Sequence, residues 1–135
     1  MLLKNKLYLF CAYIGLFLGC TKRSEVLAIS PLEAYGMLQN QFAILVDVRE
    51  SQEIKGGMAA PALWMPMSKI EKNDKSWQDF VQKLPKDKKI IFYCAGGVRA
   101  EKVAKMLAEK EYKTANMGGY KDWLQAALPI KKGEN

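Results

Sequence analysis

The chain has 135 residues, 50% of them hydrophobic and 26% charged, a length and balance that fit one globular domain and exclude a disordered protein. Its net charge is +7, but the lysines and arginines are scattered, with no basic cluster interleaved with aromatics. A nucleic-acid partner is therefore not expected, and small anionic substrates or an anionic lipid surface suit the excess better. Histidine is absent, which removes Ser-His-Asp and Cys-His catalysis and histidine-based zinc sites in one step.

Residues 1–20 stand apart from the rest. Lys4 and Lys6 precede an almost uncharged apolar run from Leu7 to Gly19, the pattern of a secretory signal. The run is too short to cross a bilayer, for which about 20 apolar residues are needed. Phe17-Leu18-Gly19-Cys20 resembles a bacterial lipobox, in which the peptide is cut before the cysteine and that cysteine is lipidated. Residues 1–19 are accordingly expected to be a signal peptide, 20–25 a lipidated tether, 26–130 the folded domain and 131–135 a mobile polar tail. Lipidated Cys20 would hold the domain on the periplasmic side of a bacterial membrane; an uncleaved N-terminal anchor is the alternative, and it too places the domain outside the cytoplasm. With Cys11 discarded and Cys20 acylated, Cys94 is left as a lone thiol and a candidate reactive group.

Along the mature chain, Val26 to Ile29 is expected to form a small strand. Ser30-Pro31 reads as an N-cap followed by proline at the first helical position, and Leu32, Tyr35 and Leu38 are expected to form the apolar face of a helix ending near Asn40. Phe42 to Val46 is an unbroken apolar run, the mark of a central strand covered on both faces. It finishes in Asp47-Val48-Arg49-Glu50, where Asp47 and Arg49 lie two apart and can share a face as a structural ion pair that supports a neighbouring loop. Leu63 to Met65 is expected to be a brief strand. Helical spacing of Trp77, Phe80, Val81 and Leu84 covers Ser68 to Leu84, and Pro85-Lys86-Asp87 ends it.

Lys88 to Arg99 carries the chemistry. A β-branched and aromatic run, Ile90 to Tyr93, stops at Cys94, two glycines follow, and from Val98 the apolar spacing turns helical through Val103, Ala104, Leu107 and Ala108. That is a strand, a tight loop and a helix start, with a thiol at the strand's carboxyl end. The N–H groups of Ala95, Gly96, Gly97, Val98 and Arg99 can curl into a positive cradle, since Gly96 and Gly97 permit left-handed backbone. A sulfur inside it would be held as thiolate below its reference pKa of about 8.5, and Arg99 could add a cation. Cys94 and Arg99 enclose four residues, one fewer than the loop of protein tyrosine phosphatases. The cradle should thus suit a single sulfur better than a tetrahedral phosphate. Beyond the loop, Tyr112 to Met117 is expected to be the last strand.

Here the chain resembles the rhodanese (sulfurtransferase) family. Its loop pattern C-x-x-G-x-R is met by Cys94, Gly97 and Arg99; Glu53, Gly57, Ala62 and Pro66 coincide with the family segment E-F-x-x-G-H-I-x-G-A-x-N-I-P; Gly118-Gly119 and Trp123 match G-G-x-x-x-W. Met58, Pro61 and Trp64 depart from that segment, standing where histidine, glycine and asparagine are usual. The resemblance, together with the alternation of strands and helices, implies a three-layer α/β fold with a mostly parallel sheet of about five strands flanked by helices. It further implies sulfane-sulfur transfer through a Cys94 persulfide, with an anionic donor such as thiosulfate or a persulfide, a thiol or cyanide acceptor, and no cofactor or metal. Asp47 and Arg49 would stand below the loop, and Trp123 would pack beside it. Three other readings compete: a rhodanese-like module that carries or senses sulfur without turnover, a phosphatase, and a thiol-redox protein, the last disfavoured because no resolving cysteine lies near Cys94.

Overall fold

The computed structural model describes residues 25–133. The expected signal peptide, the cut before Cys20 and most of the tether lie outside the described residues.

The elements run β1 (Leu27–Ala28), α1 (Pro31–Gln39), β2 (Ala43–Asp47), α2 (Ser51–Ile54), β3 (Met58–Ala59), β4 (Ala62–Trp64), α3 (Met67–Glu71), α4 (Lys75–Lys83), β5 (Lys89–Cys94), α5 (Val98–Ala108), β6 (Lys113–Gly119), α6 (Tyr120–Gln125) and β7 (Ile130–Lys131). Five strands form one parallel sheet in the order β1-β6-β5-β2-β4. The two most apolar runs, β2 and β5, sit inside that order, where each is flanked by a strand on either side and both faces are covered.

Alternation along β5 divides the core. Ile90, Phe92 and Cys94 join the layer made with α3, α4 and α5, while Ile91 and Tyr93 join Ala34 of α1 and Trp123 of α6 on the other face. Each such side chain, fully withdrawn from water, is worth about 1.5–3 kcal/mol. Sequence signals account for the helix starts. Ser30 Oγ accepts from Glu33 N at 3.2 Å, and Asp74 Oδ1 accepts from Trp77 N at 3.0 Å.

Several expectations need correction. Leu32 is 65% exposed, because Ala34 makes the closest approach of α1 to the sheet, with Tyr35, Met37 and Leu38 partly buried around it. Phe42, 67% exposed, precedes the first paired residue of β2 and lies outside the strand. The helical stretch from Ser68 to Leu84 is two helices: Asn73 takes a left-handed conformation at φ 48° and Asp74 caps a fresh start. The tail is not free from residue 131. Lys131 pairs with Met58 and Ile130 with Ala59 in a small antiparallel sheet, since backbone groups beside β3 need partners.

Candidate active site

Cys94 ends β5 with only 2% of its surface exposed, and the chain then wraps around its sulfur. Gly97 N donates to Cys94 Sγ at 3.0 Å. Burial pushes the Cys94 thiol up, but the N–H groups of Ala100, Gly96, Gly97 and Arg99 outweigh it, so its pKa lies below the ordinary value. Gly97 makes this possible. It caps α5 at φ 99°, and a Cβ there would stand 3.2 Å from Gly118 Cα. Beneath the loop, a Cβ on Gly119 would collide with the Ala95 carbonyl oxygen. The paired glycines of β6 are the floor on which the loop rests.

Two side chains fasten the loop from opposite sides. Arg99 donates through Nη1 and Nη2 to Glu53 Oε2 and Oε1, both at 2.7 Å. Its bidentate grip holds the Glu53 carboxyl down at about 2 despite partial burial, and Glu53 in turn raises Arg99. On the other side Asn116 Nδ2 donates to Gly97 O at 3.0 Å and to Glu101 Oε2 at 3.1 Å, while its Oδ1 accepts from Gly118 N at 2.9 Å. The side chain thereby ties β6, the loop and α5 together.

Glu53 owes its place to a buried network. Asp47 is fully buried and Arg49 4% exposed; Arg49 Nη2 meets Asp47 Oδ2 at 2.7 Å, and Tyr93 OH donates to the same oxygen at 2.5 Å. Ala59 N donates to Tyr93 OH at 3.0 Å. Burial and the neighbouring Asp47 charge push the Tyr93 phenol far up, so it stays a neutral donor. Arg49 also donates to Gly57 O at 2.9 Å and Glu53 O at 3.3 Å, and its guanidinium lies 4.0 Å over the Tyr120 ring. The pair therefore sets the end of α2, from which the Glu53 carboxylate reaches Arg99. Trp64 adds a strut, donating its indole N–H to Arg49 O at 2.9 Å.

Residues 30–126 match the rhodanese-like domain family. The chain belongs to the rhodanese family. This rhodanese is 29% identical over 97 residues to the thiosulfate sulfurtransferase GlpE of Coxiella burnetii, an alignment covering 70% of this chain and 84% of the relative. It is 33% identical over 89 residues to a sulfurtransferase of Allochromatium vinosum, covering 64% and 77%. Among solved structures, a rhodanese-like domain protein from Staphylococcus aureus superposes with a TM-score of 0.62 at 29% identity, covering 78% of this chain and 99% of that one. The likenesses support a rhodanese-type sulfurtransferase, which implies a sulfur donor and a sulfur acceptor.

The structure brings Cys94, Gly96, Gly97 and Arg99 of this rhodanese into one cradle and stacks Asp47 and Arg49 behind it. Ala95 contributes its exposed position at the loop's start and its carbonyl packed on Gly119. Val98 departs from expectation: at the first position of α5 it is 82% exposed, because the buried stripe starts at Ala100 and continues through Val103, Ala104 and Leu107. Trp123 packs against Tyr35 and donates to Pro129 O, so it buttresses the opposite layer, and the glycines before it touch the loop. Arg99 is not a free cation. Sequence reasoning missed Glu53 as its partner and Asn116 as a clamp. A capping signature was present at Glu50-x-x-Glu53, and the Glu53 carboxylate does accept from Glu50 N at 2.7 Å. For Asn116 the signal was a polar side chain between the inward-facing Ala115 and Met117. Among the described residues, no three histidine, cysteine or acidic side chains gather to hold a metal.

Proposed function

We propose that this rhodanese transfers sulfane sulfur through a persulfide on Cys94. One observation carries the reading: the buried sulfur accepts a hydrogen bond from Gly97 N at 3.0 Å inside a ring of amides that favours its anion. In the first half-reaction the thiolate attacks the outer sulfur of the donor. The donor's S–S bond breaks, and its remainder, sulfite when the donor is thiosulfate, leaves with the bonding pair. The new terminal sulfur is an anion at the point where the loop amides converge. In the second half-reaction an acceptor thiolate or cyanide attacks that sulfur, and the Cys94 thiolate departs. Sulfur passes at one oxidation level, so neither half-reaction needs an external oxidant or reductant.

Mass spectrometry of the intact protein after incubation with a sulfane donor tests this. Wild type should gain the mass of one sulfur atom and lose it to an acceptor thiol, and Cys94→Ser should gain none. A Cys94→Ser protein that still transfers sulfur would refute the assigned nucleophile. Turnover with release of thiocyanate from cyanide separates an enzyme from a module that only carries sulfur. We also infer a cell-envelope location, with Cys20 as the lipidated residue; the support is the apolar run ending in Leu18-Gly19-Cys20. A fatty-acid analogue fed to a bacterial host should label wild type and leave Cys20→Ala unlabelled.

A further inference from the structure

We infer that residues 129–133 form a positioning strap for the active site: they seat the short helix α2, and through it they hold Glu53 on Arg99 and keep the loop closed around Cys94. The inference rests on the sulfur-transfer reading above and deepens it by naming what positions the reacting loop.

The need for a strap comes from α2 itself. It has four residues, Ser51–Ile54, a single turn that gains too few internal hydrogen bonds to offset the cost of nucleating a helix. Its place must therefore be fixed by its neighbours. Arg49 reaches it from the core side, donating to Glu53 O at 3.3 Å and to Gly57 O at 2.9 Å. Glu50 caps its start, with its N–H donating to Glu53 Oε2 at 2.7 Å.

Residues 129–133 seat the other end. Lys131 pairs with Met58 and Ile130 with Ala59, and Ala60 N donates to Pro129 O at 2.9 Å. Trp123 Nε1 donates to the same oxygen at 2.9 Å, which fastens the segment to α6. The chain then continues onto α2. A Cβ on Gly57 would stand 3.3 Å from Lys131 O, and a Cβ on Gly133 would collide with the Ile54 carbonyl. Gly133 is not left-handed, so it is the close approach to Ile54 that requires glycine there. The segment adds little to the core, since Ile130 is 54% exposed and Lys132 is exposed too. Its contacts are backbone contacts to the end of α2 and to β3. It also lies beyond residues 30–126, the stretch that matches the family.

The path from strap to sulfur is short. Ile54, on which Gly133 rests, adjoins Glu53, and Glu53 holds Arg99 through two contacts of 2.7 Å. Arg99 N is one of the amides that favour the Cys94 anion. Lifting the strap frees α2 to shift, Glu53 to release Arg99, and the end of the loop to open.

The test uses the full chain carrying Lys131→Pro, which removes a backbone donor from the pairing with Met58, or Gly133→Ala, which cannot lie on Ile54. Each should move the pH midpoint of Cys94 alkylation by iodoacetamide toward alkaline values. Each should also lower kcat/KM for sulfur transfer from thiosulfate to cyanide by roughly fivefold, the scale of one partly exposed ion pair. Lys131→Ala, which keeps the backbone donor, should restore both readouts. Glu53→Gln should show the same loss, and adding Lys131→Pro to it should cost nothing further, since both changes break one path. A merely structural segment would lower Tm and leave the alkylation midpoint in place. An unmoved midpoint in either strap variant, or losses that multiply in the double variant, would overturn the strap and leave sulfur transfer intact; where Lys131→Pro fails to fold, Gly133→Ala decides alone. A wild type that moves no sulfur, with an alkylation midpoint that still shifts in the variants, would overturn the sulfur-transfer reading and keep the strap.

Discussion

Replacing Asn116 by alanine should loosen the cradle and destabilise the fold together. The side chain makes three hydrogen bonds, to Gly97 O, Glu101 Oε2 and from Gly118 N, at 3.0, 3.1 and 2.9 Å. Gly97 O keeps a partner, since Glu101 N donates to it at 2.9 Å, and Glu101 keeps Lys105. Gly118 N loses its side-chain acceptor in a half-buried position. Counting about 1 kcal/mol for each lost bond, and somewhat more for the stranded amide, the change costs about 2–3 kcal/mol. For a domain of this size that lowers Tm by roughly 10–15 °C. With the Gly97 peptide no longer pinned, the 3.0 Å contact from Gly97 N to Cys94 Sγ relaxes and the thiol pKa rises. Thermal unfolding followed by circular dichroism measures the first effect. The second is read from the pH dependence of Cys94 alkylation by iodoacetamide, whose midpoint should move toward alkaline pH. A variant with wild-type Tm and an unmoved alkylation midpoint would show that Asn116 decorates the loop without holding it.

Tyr93→Phe should be more damaging than its small change in volume suggests, costing about 2–3 kcal/mol in urea unfolding, because it leaves buried Ala59 N without its acceptor and takes one donor from the buried Asp47 carboxylate, which keeps Arg49; a loss below about 1 kcal/mol would contradict that accounting. Glu53 titrates near 2 when folded against an ordinary 4.5, so its stabilising contribution is complete above about 4.5 and disappears as pH falls toward 2. Because its side chain is a third exposed, that contribution is about 1 kcal/mol after solvent screening, and the acid limb of stability against pH should be flatter by this amount in Glu53→Gln. The Cys94 thiol is shifted down, so its thiolate stabilises the fold fully above the ordinary thiol pKa, and the effect is lost as pH falls through the folded value. Stability of wild type should therefore climb with pH through that window relative to Cys94→Ser, and parallel curves for the two would show no preferential hold on the anion.

What the amino-acid sequence determined by itself is whatever depends on neighbours along the chain. The apolar runs of β2 and β5, the Ser30-Pro31 start of α1, and the strand-to-helix loop around Cys94 are local, with periodicity and caps that carry the information. Asp47 and Arg49 were legible as an ion pair for the same reason, being two residues apart on one strand end. The family likeness, too, is carried by short blocks in a fixed order. Tertiary structure alone decided which residues hold the loop, because those contacts join distant parts of the chain. Glu53 and Arg99 are separated by 46 positions, as are Asp47 and Tyr93, and Asn116 reaches Gly97 across 19. Charge and hydrogen bonding depend on distance in space. Folding turned Arg99 from the free cation its position suggested into one half of a closed pair, and burial turned Tyr93 from a core aromatic into a polar strut. Exposure was decided the same way: Leu32, Phe42 and Val98 carry apolar side chains, yet each falls at an element's edge where the sheet and helices leave it in water.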